Sequence, residues 1–330
     1  MKLYPLRFEP IFTANLWGGR RLPAFLRRTP PHDDPIGEAW ILSDVDGRPS
    51  RIANGPLAGV TLRELLADRP ERILGSAKPI NGRFPLLLKF IDARQELSVQ
   101  VHPNDDQAAR AKPGAAGKTE AWVILESNPA TSRIYAGFNP DTTADSFRAA
   151  LADGTAPATL HHFVPRPGDC VFLPAGTVHA IGADVLLFEV QQTSDITYRL
   201  YDWDRVDAKT GLPRELHVEQ GLAVSNFASG PCHAQAPIAL DHPHAKLEQL
   251  VSCPYFTLRR WTSSKPFRVG SPGECRILVV LDADARTEIE WNDDVDILAT
   301  GDVLLLPAEL GEFSVVPAGS VTLLECVPGS

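Results

Sequence analysis

Short apolar runs bounded by proline, glycine and turn residues recur along almost the whole chain. This spacing constrains the fold more than any other feature of the sequence. The 29 prolines and 24 glycines fall between runs that are too brief for ordinary helices. Residues 84–91, 97–102, 119–125, 171–173, 185–192 and 196–201 read as strands in the first two-thirds. Residues 256–261, 276–281, 287–291, 303–306, 313–316 and 321–327 do so after about residue 240. Many short strands separated by turn signals predict a sandwich or barrel. Helical signals are few. Thr61 with Glu64 and Asn104 with Gln107 form capping-box patterns, and a further candidate over 145–151 stops at Gly154.

The 330 residues suggest two domains at roughly 150 residues each. A Pro-, His- and Ala-rich stretch over 228–244 reads as a linker and places the boundary near residue 240. An internal repeat supports two copies of one architecture. Gly168-Asp169-Cys-Val-Phe-Leu-Pro174-Ala175 recurs as Gly301-Asp302-Val-Leu-Leu-Leu-Pro307-Ala308. The copies then diverge, so that Glu312 stands where the first copy has His179. If the first half holds a metal, the second is expected to lack it.

The net charge of -9 argues against nucleic acid or an anionic membrane as partner, because both require a basic surface. The opening MKLYPLRFEP has no apolar signal core, and no run of 18 or more apolar residues occurs. The five cysteines are scattered and none forms a CxxC pair. That usage fits reduced thiols and a cytoplasmic location.

Three segments carry chemistry. In Leu97-Ser-Val-Gln100-Val-His102, strand alternation puts Ser98, Gln100 and His102 on one face. In Lys118-Thr-Glu120-Ala-Trp122, the lysine, the carboxylate and the indole share a face. In Gly168 to His179, Pro174 and Gly176 force a tight exit from a buried strand, which can turn His179 back inside. Taken alone, the first two segments read rather as plain solvent-facing strands, whereas the third, which fixes four residue types at set spacings, is more specific. Together Gln100, His102, Glu120 and His179 make a zinc shell with room for water or substrate. Two histidines and one carboxylate also describe non-heme Fe(II) sites. Glu189 with Gln191 and Arg199 with Asp195 share faces of two further strands. Lys89 sits among Leu86, Leu87, Leu88, Phe90 and Ile91. It is either a cation lining a pocket or a side chain snorkelling from an edge strand. Lys89, Lys118 and Arg199 are the cations that could converge on an anionic substrate. Trp17-Gly18-Gly19 reads as a turn, and the remaining histidines show no usable pattern.

These motifs resemble the short bacterial type I mannose-6-phosphate isomerases along nearly the whole chain. The resemblance runs through Leu16-Trp17-Gly18-Gly19, Ile36-Gly37-Glu38-Ala39-Trp40, Pro85 to Lys89, Gln100-Val-His102-Pro103, Lys118-Thr-Glu120-Ala-Trp122 and Pro174-Ala-Gly-Thr-Val-His179. It continues through Gln191 to Asp195, Tyr198-Arg199 and Asp202. Where the family commonly has Gln-Asn-Ser-Asp, this chain has Gln192-Thr193-Ser194-Asp195. The resemblance implies a mainly β fold of two cupin (jelly-roll) barrels in tandem with a few short helices. Residues 1–240 would form the catalytic barrel, and 241–330 a smaller barrel without metal ligands. It implies one Zn2+ per chain on His102, Glu120 and His179, with Gln100 as a further ligand. Arg199 matches the family's active-site arginine, and Lys118 a lysine near the metal.

Members of the family interconvert mannose 6-phosphate and fructose 6-phosphate, so a small hexose phosphate is the implied partner. The proton moved between C1 and C2 is very weakly acidic, and a metal on the neighbouring oxygens would stabilise the enediolate. Arg199 would stabilise developing charge, while Lys118 and Lys89 would contact phosphate or hydroxyls. Glu189 is a candidate base, and a metal-bound water is another. An Fe(II) cupin oxygenase and a non-catalytic sugar-binding cupin remain alternatives at this point.

Overall fold

The computed structural model describes residues 2–207 and 210–330. Two pairs of antiparallel sheets follow one another along the chain. The first pair has a six-stranded sheet in the order Ile11–Gly19, Ile36–Leu42, Leu86–Ala93, Val185–Gln192, Glu120–Glu126, Cys170–Leu173. Its five-stranded partner runs Tyr198–Tyr201, Val99–Val101, His179–Ile181, Ile134–Phe138, Leu160–Phe163. The second pair has a six-stranded sheet in the order Ile238–Leu240, Lys246–Ser252, Phe256–Ser263, Val321–Pro328, Arg276–Ala283, Val303–Leu306. A four-stranded sheet, Phe267–Gly270, Glu312–Pro317, Thr287–Trp291, Asp294–Leu298, faces it. This is the tandem jelly-roll arrangement expected of a cupin pair. Short helices are inserted between strands, and both anticipated capping boxes form, at Thr61 with Glu64 and Asn104 with Gln107.

The continuous apolar runs follow from burial on both faces. Each six-stranded sheet turns one face inward to its own sandwich and the other toward the second six-stranded sheet. Leu86, Leu88, Phe90, Phe188 and Val190 share one buried cluster with Phe256, Leu258, Ile277, Val279 and Cys326. The opposite face of the first sheet packs Ile91, Trp122, Val185 and Leu187 inside the first sandwich. One core therefore joins the two halves. The N-terminal residues reinforce the seam, since Leu6 bridges Leu305 and Arg7 pairs with Asp296 and Asp302.

The sequence repeat has a structural cause. Gly168 and Gly301 both sit at positive φ, +89° and +86°. Asp169 and Asp302 each accept from a backbone nitrogen three residues earlier, at 2.8 and 2.9 Å. Both motifs thus start the last strand of a six-stranded sheet with the same turn. Beyond them, His179 is 1% exposed, whereas Glu312 pairs with Arg268 on the surface. The 228–244 stretch is strapped to the first sandwich by Cys232 N to Ala136 O and Gln235 N to Cys170 O. It ends in Ile238–Leu240, which already belongs to the second.

Two local readings are corrected. Trp17-Gly18-Gly19 ends a strand instead of forming a turn. A Cβ on Gly18 would lie 2.5 Å from the Gly37 nitrogen, so the two strands meet backbone to backbone there. Lys89 does not snorkel from an edge, because Leu86–Ala93 pairs on both sides.

The second sandwich buries an ion cluster of its own. Glu325 is 0% exposed. It pairs with Arg276 and accepts from Trp261 Nε1 at 3.1 Å and Arg259 Nη1 at 3.3 Å. Glu325→Ala takes from Arg276 its buried partner and leaves it only the half-exposed Glu274, at 2.8 Å. The variant is expected to lose about 3–5 kcal/mol of stability in urea unfolding. A loss below about 1 kcal/mol would contradict this reading of the cluster.

Candidate active site and metal centre

A cleft of about 330 Å³ is lined from both sheets of the first sandwich. Each sheet contributes one row of residues, set by strand register. On the six-stranded sheet Trp40, Lys89, Glu189 and Trp122 lie opposite one another across four strands. On the five-stranded sheet the row is Arg199, Gln100 and His179. Glu120 begins its strand, and His102 directly follows the strand Val99–Val101. A proline and a positive-φ glycine, Pro174 and Gly176, re-aim the chain toward His179.

His102, Glu120 and His179 are 2%, 0% and 1% exposed, and one ligand atom from each falls within 4.8 Å of the others. Among the described residues no other group of three or more His, Cys, Asp or Glu converges in this way. His179 Nε2 is 3.2 Å from Glu120 Oε1, and His102 Nε2 is 3.6 Å from Glu120 Oε2. Each imidazole is held from behind. His102 Nδ1 lies 2.9 Å from the Ile196 carbonyl oxygen and His179 Nδ1 2.8 Å from that of Thr177. A carbonyl only accepts, so each Nδ1 carries the proton and each Nε2 presents a lone pair to the carboxylate. Burial lowers the pKa of both rings. For His102 the Lys118 ammonium lowers it further, while for His179 the Glu120 carboxylate works the other way. Both rings are neutral donors.

Glu120 completes the set. Neither of its oxygens accepts a well-directed hydrogen bond, although Lys118 Nζ lies 2.8 Å from Oε2. A buried carboxylate with unmet acceptor capacity beside two imidazole lone pairs fits a divalent cation that takes N and O ligands. Lys118 Nζ is also 3.1 Å from His102 Nε2. Gln100 reaches the same place, with its Nε2 3.3 Å from His179 Nε2. Turning that amide over would aim its oxygen at the site, and the two orientations are interchangeable in shape.

The four residues read as ligands and Lys118 thus meet at one point, and Lys89, Glu189 and Arg199 line the adjoining cleft. Lys89 Nζ lies 3.1 Å from Glu189 Oε1, and Trp122 Nε1 donates to Glu189 Oε2 at 2.9 Å. Burial alone would raise the Glu189 pKa, but the Lys89 and Lys118 ammonium groups hold it down to about 2. Burial opposes the charge on Lys89, yet Glu189 keeps its pKa raised. Sequence reasoning missed Arg214, which lines the cleft and donates to Asp202 at 2.8 Å. It lies on a loop with no strand periodicity, so no pattern marked it. Arg199 donates to the Glu215 carbonyl oxygen at 2.9 Å, and its Nε is buried without a partner.

Residues 6–128 match the family described as phosphomannose isomerase type I, catalytic domain. The mannose-6-phosphate isomerase ManA of Bacillus subtilis is 36% identical over 95% of this chain and 96% of its own length. The mannose-6-phosphate isomerase of Streptococcus mutans is 34% identical over 91% of this chain and 92% of its own. The crystal structure of the mannose 6-phosphate isomerase from Bacillus subtilis superposes with a TM-score of 0.88 at 29% identity, covering 98% of this chain and 99% of that one.

The Lys89–Glu189 pair gives a pH signature. Glu189 is depressed relative to its unfolded value of about 4.3, so its stabilising effect is complete above that pH and is lost as pH falls toward 2. In the presence of chelator, the stability penalty of Glu189→Gln is expected to shrink by about 1 kcal/mol between pH 6 and pH 3.5. Urea unfolding of both proteins across that range measures it. A penalty that does not change with pH would contradict the assignment.

Proposed function

The chain belongs to the type I phosphomannose isomerases, and from that premise we propose that it interconverts mannose 6-phosphate and fructose 6-phosphate in this cleft. One zinc ion per chain would be held by His102, Glu120 and His179, with Gln100 as a further donor. The observation that carries this reading is the solvent-excluded Glu120 carboxylate between two imidazoles whose Nε2 lone pairs face it. When bound there by His102, Glu120 and His179, the ion would supply Lewis-acid chemistry to the sugar oxygens beside the C1–C2 proton transfer.

Charge balance orients the substrate. At the ligand end of the cleft Lys89 is paired with Glu189 and Lys118 with Glu120. Farther out, Arg205 and Arg214 share the single carboxylate of Asp202. Among the described residues Arg199 has no carboxylate within ion-pairing distance, only the Glu215 carbonyl. The nearby Arg214 guanidinium adds to burial in lowering the Arg199 pKa. Two guanidiniums with too few acids form the place for a dianionic phosphate. The phosphate therefore goes to Arg199 and Arg214, and C1 and C2 face the ligands. Lys89 and Lys118, already paired, suit the sugar hydroxyls better than the phosphate.

Glu189 takes a different role from that of a base. A carboxylate held near a pKa of 2 is a weak proton acceptor at neutral pH. Its contacts instead fix Lys89 and Trp122 in the cleft wall. A cytoplasmic location belongs to the same reading and is supported by the five free cysteines, of which Cys170 and Cys275 are pushed by burial up to about 12.

Chelator-stripped protein is expected to lose mannose 6-phosphate turnover and to regain it with stoichiometric zinc. Arg199→Ala is expected to lower kcat/KM by roughly 100-fold or more with little change in melting temperature. Full activity in the stripped protein would refute the metal requirement. Wild-type kinetics in Arg199→Ala would remove that side chain from the substrate site.

A further inference from the structure

The second sandwich reaches the stretch between His102 and Glu120 through the Tyr255 side chain. Tyr255 sits in the turn between Lys246–Ser252 and Phe256–Ser263. That turn is fixed by backbone bonds from Cys253 N to Phe256 O and from Gly329 N to Tyr255 O. The Tyr255 hydroxyl donates to Asp105 Oδ2 at 2.7 Å. Burial, followed by the Asp105 carboxylate, pushes this phenol up to about 12, so it remains a donor near neutral pH.

Asp105 ties together the approaches to the ligands. It opens the helix Asp105–Ala111, three residues after His102. Its Oδ1 accepts from Gly117 N at 2.8 Å and from Gln192 Nε2 at 3.0 Å. Gln192 in turn uses its Oε1 to accept from Thr119 N at 2.9 Å, one residue before Glu120. Thr119 Oγ1 accepts from Ala175 N at 3.2 Å, on the exit that leads to His179. The His102 carbonyl accepts from Gly176 N at 2.8 Å on the same exit. Gly117 presses against this junction, since a Cβ there would lie 2.6 Å from the Asn104 carbonyl carbon and from the Asp105 nitrogen. The segments carrying all three ligands are thus linked by hydrogen bonds around one carboxylate, and the outer oxygen of that carboxylate is held from the second sandwich.

We propose that Tyr255 is a positioning residue for the metal site, through which the second sandwich fixes the relative placement of the His102 and Glu120 segments by way of Asp105. The inference rests on the metal reading above and gives the second half of the chain a part in it. Groups behind metal ligands commonly change metal affinity by 10- to 100-fold when removed. Tyr255 acts one bond farther out, and the lower end of that range applies.

The test is zinc affinity of the full chain by competition with a chromophoric chelator, together with the rate of zinc release. Tyr255→Phe keeps the ring in the seam and removes only the hydroxyl. It is expected to weaken zinc binding about tenfold and to speed release correspondingly. Glu309→Gln loosens a different contact between the halves, the Arg72–Glu309 pair, and is expected to leave zinc affinity unchanged. Asp105→Ala is expected to weaken binding at least as much as Tyr255→Phe, and adding Tyr255→Phe to it should cost nothing further. Zinc affinity of Tyr255→Phe within twofold of wild type, an equal loss in Glu309→Gln, or additive losses in the double variant would each overturn the positioning role. A wild-type chain that takes up no zinc would instead refute the metal reading, and this inference with it.

Discussion

A carboxylate sealed from water between two neutral imidazoles and an ammonium group is the constraint on which the rest of the first sandwich depends. Burying Glu120 in this way is costly unless its charge is met. Lys118 meets part of it, and the two Nε2 lone pairs add only further acceptors. The local arrangement makes sense as the shell of a cation. It also explains why the surrounding polar residues are so fully committed. The carbonyls of Ile196 and Thr177 orient the rings, and the two cross-strand rows place cations and acids at fixed heights above the floor of the cleft.

Such a polar interior needs a rigid frame. The frame comes from the two six-stranded sheets, each buried on both faces and packed on the other through one shared apolar cluster. The strand Leu86–Ala93 shows the division of labour. Leu86, Leu88 and Phe90 belong to the core between the halves, while Lys89 faces the cleft, salt-bridged to Glu189. The second sandwich has the same sheet plan and the same Gly-Asp turn, yet turns Glu312 outward where the first turns His179 inward. It covers the back of the sheet that carries Lys89, Glu120 and Glu189, and its Tyr255 hydroxyl donates to Asp105.

Much of this was legible in the sequence because it depends on local periodicity. The strands Val185–Gln192, Thr287–Trp291 and Val303–Leu306 follow the apolar runs residue for residue. His102, Glu120 and His179 could be picked out because strand alternation and the Pro174–Gly176 exit imply which way side chains point. Ile11–Gly19 was missed because Asn15, Gly18 and Gly19 interrupt its pattern, and only the close approach to Gly37 explains the glycines. Ile134–Phe138 was hidden by Gly137, whose φ of +73° bends a short strand. Arg214 and Tyr255 could not be found at all, since their roles depend on loop closure and on a contact 150 residues away in the chain. The charge state of Glu189 was likewise invisible, because it is set by Lys89 on a neighbouring strand.

The most direct measurement is anomalous X-ray scattering at the zinc absorption edge from crystals of the native chain. The account requires one peak per chain, within about 2.0–2.2 Å of His102 Nε2, His179 Nε2 and a Glu120 oxygen. A peak at another place, such as the exposed His161–His233 pair whose nitrogens lie 3.1 Å apart, with none at Glu120, would contradict it.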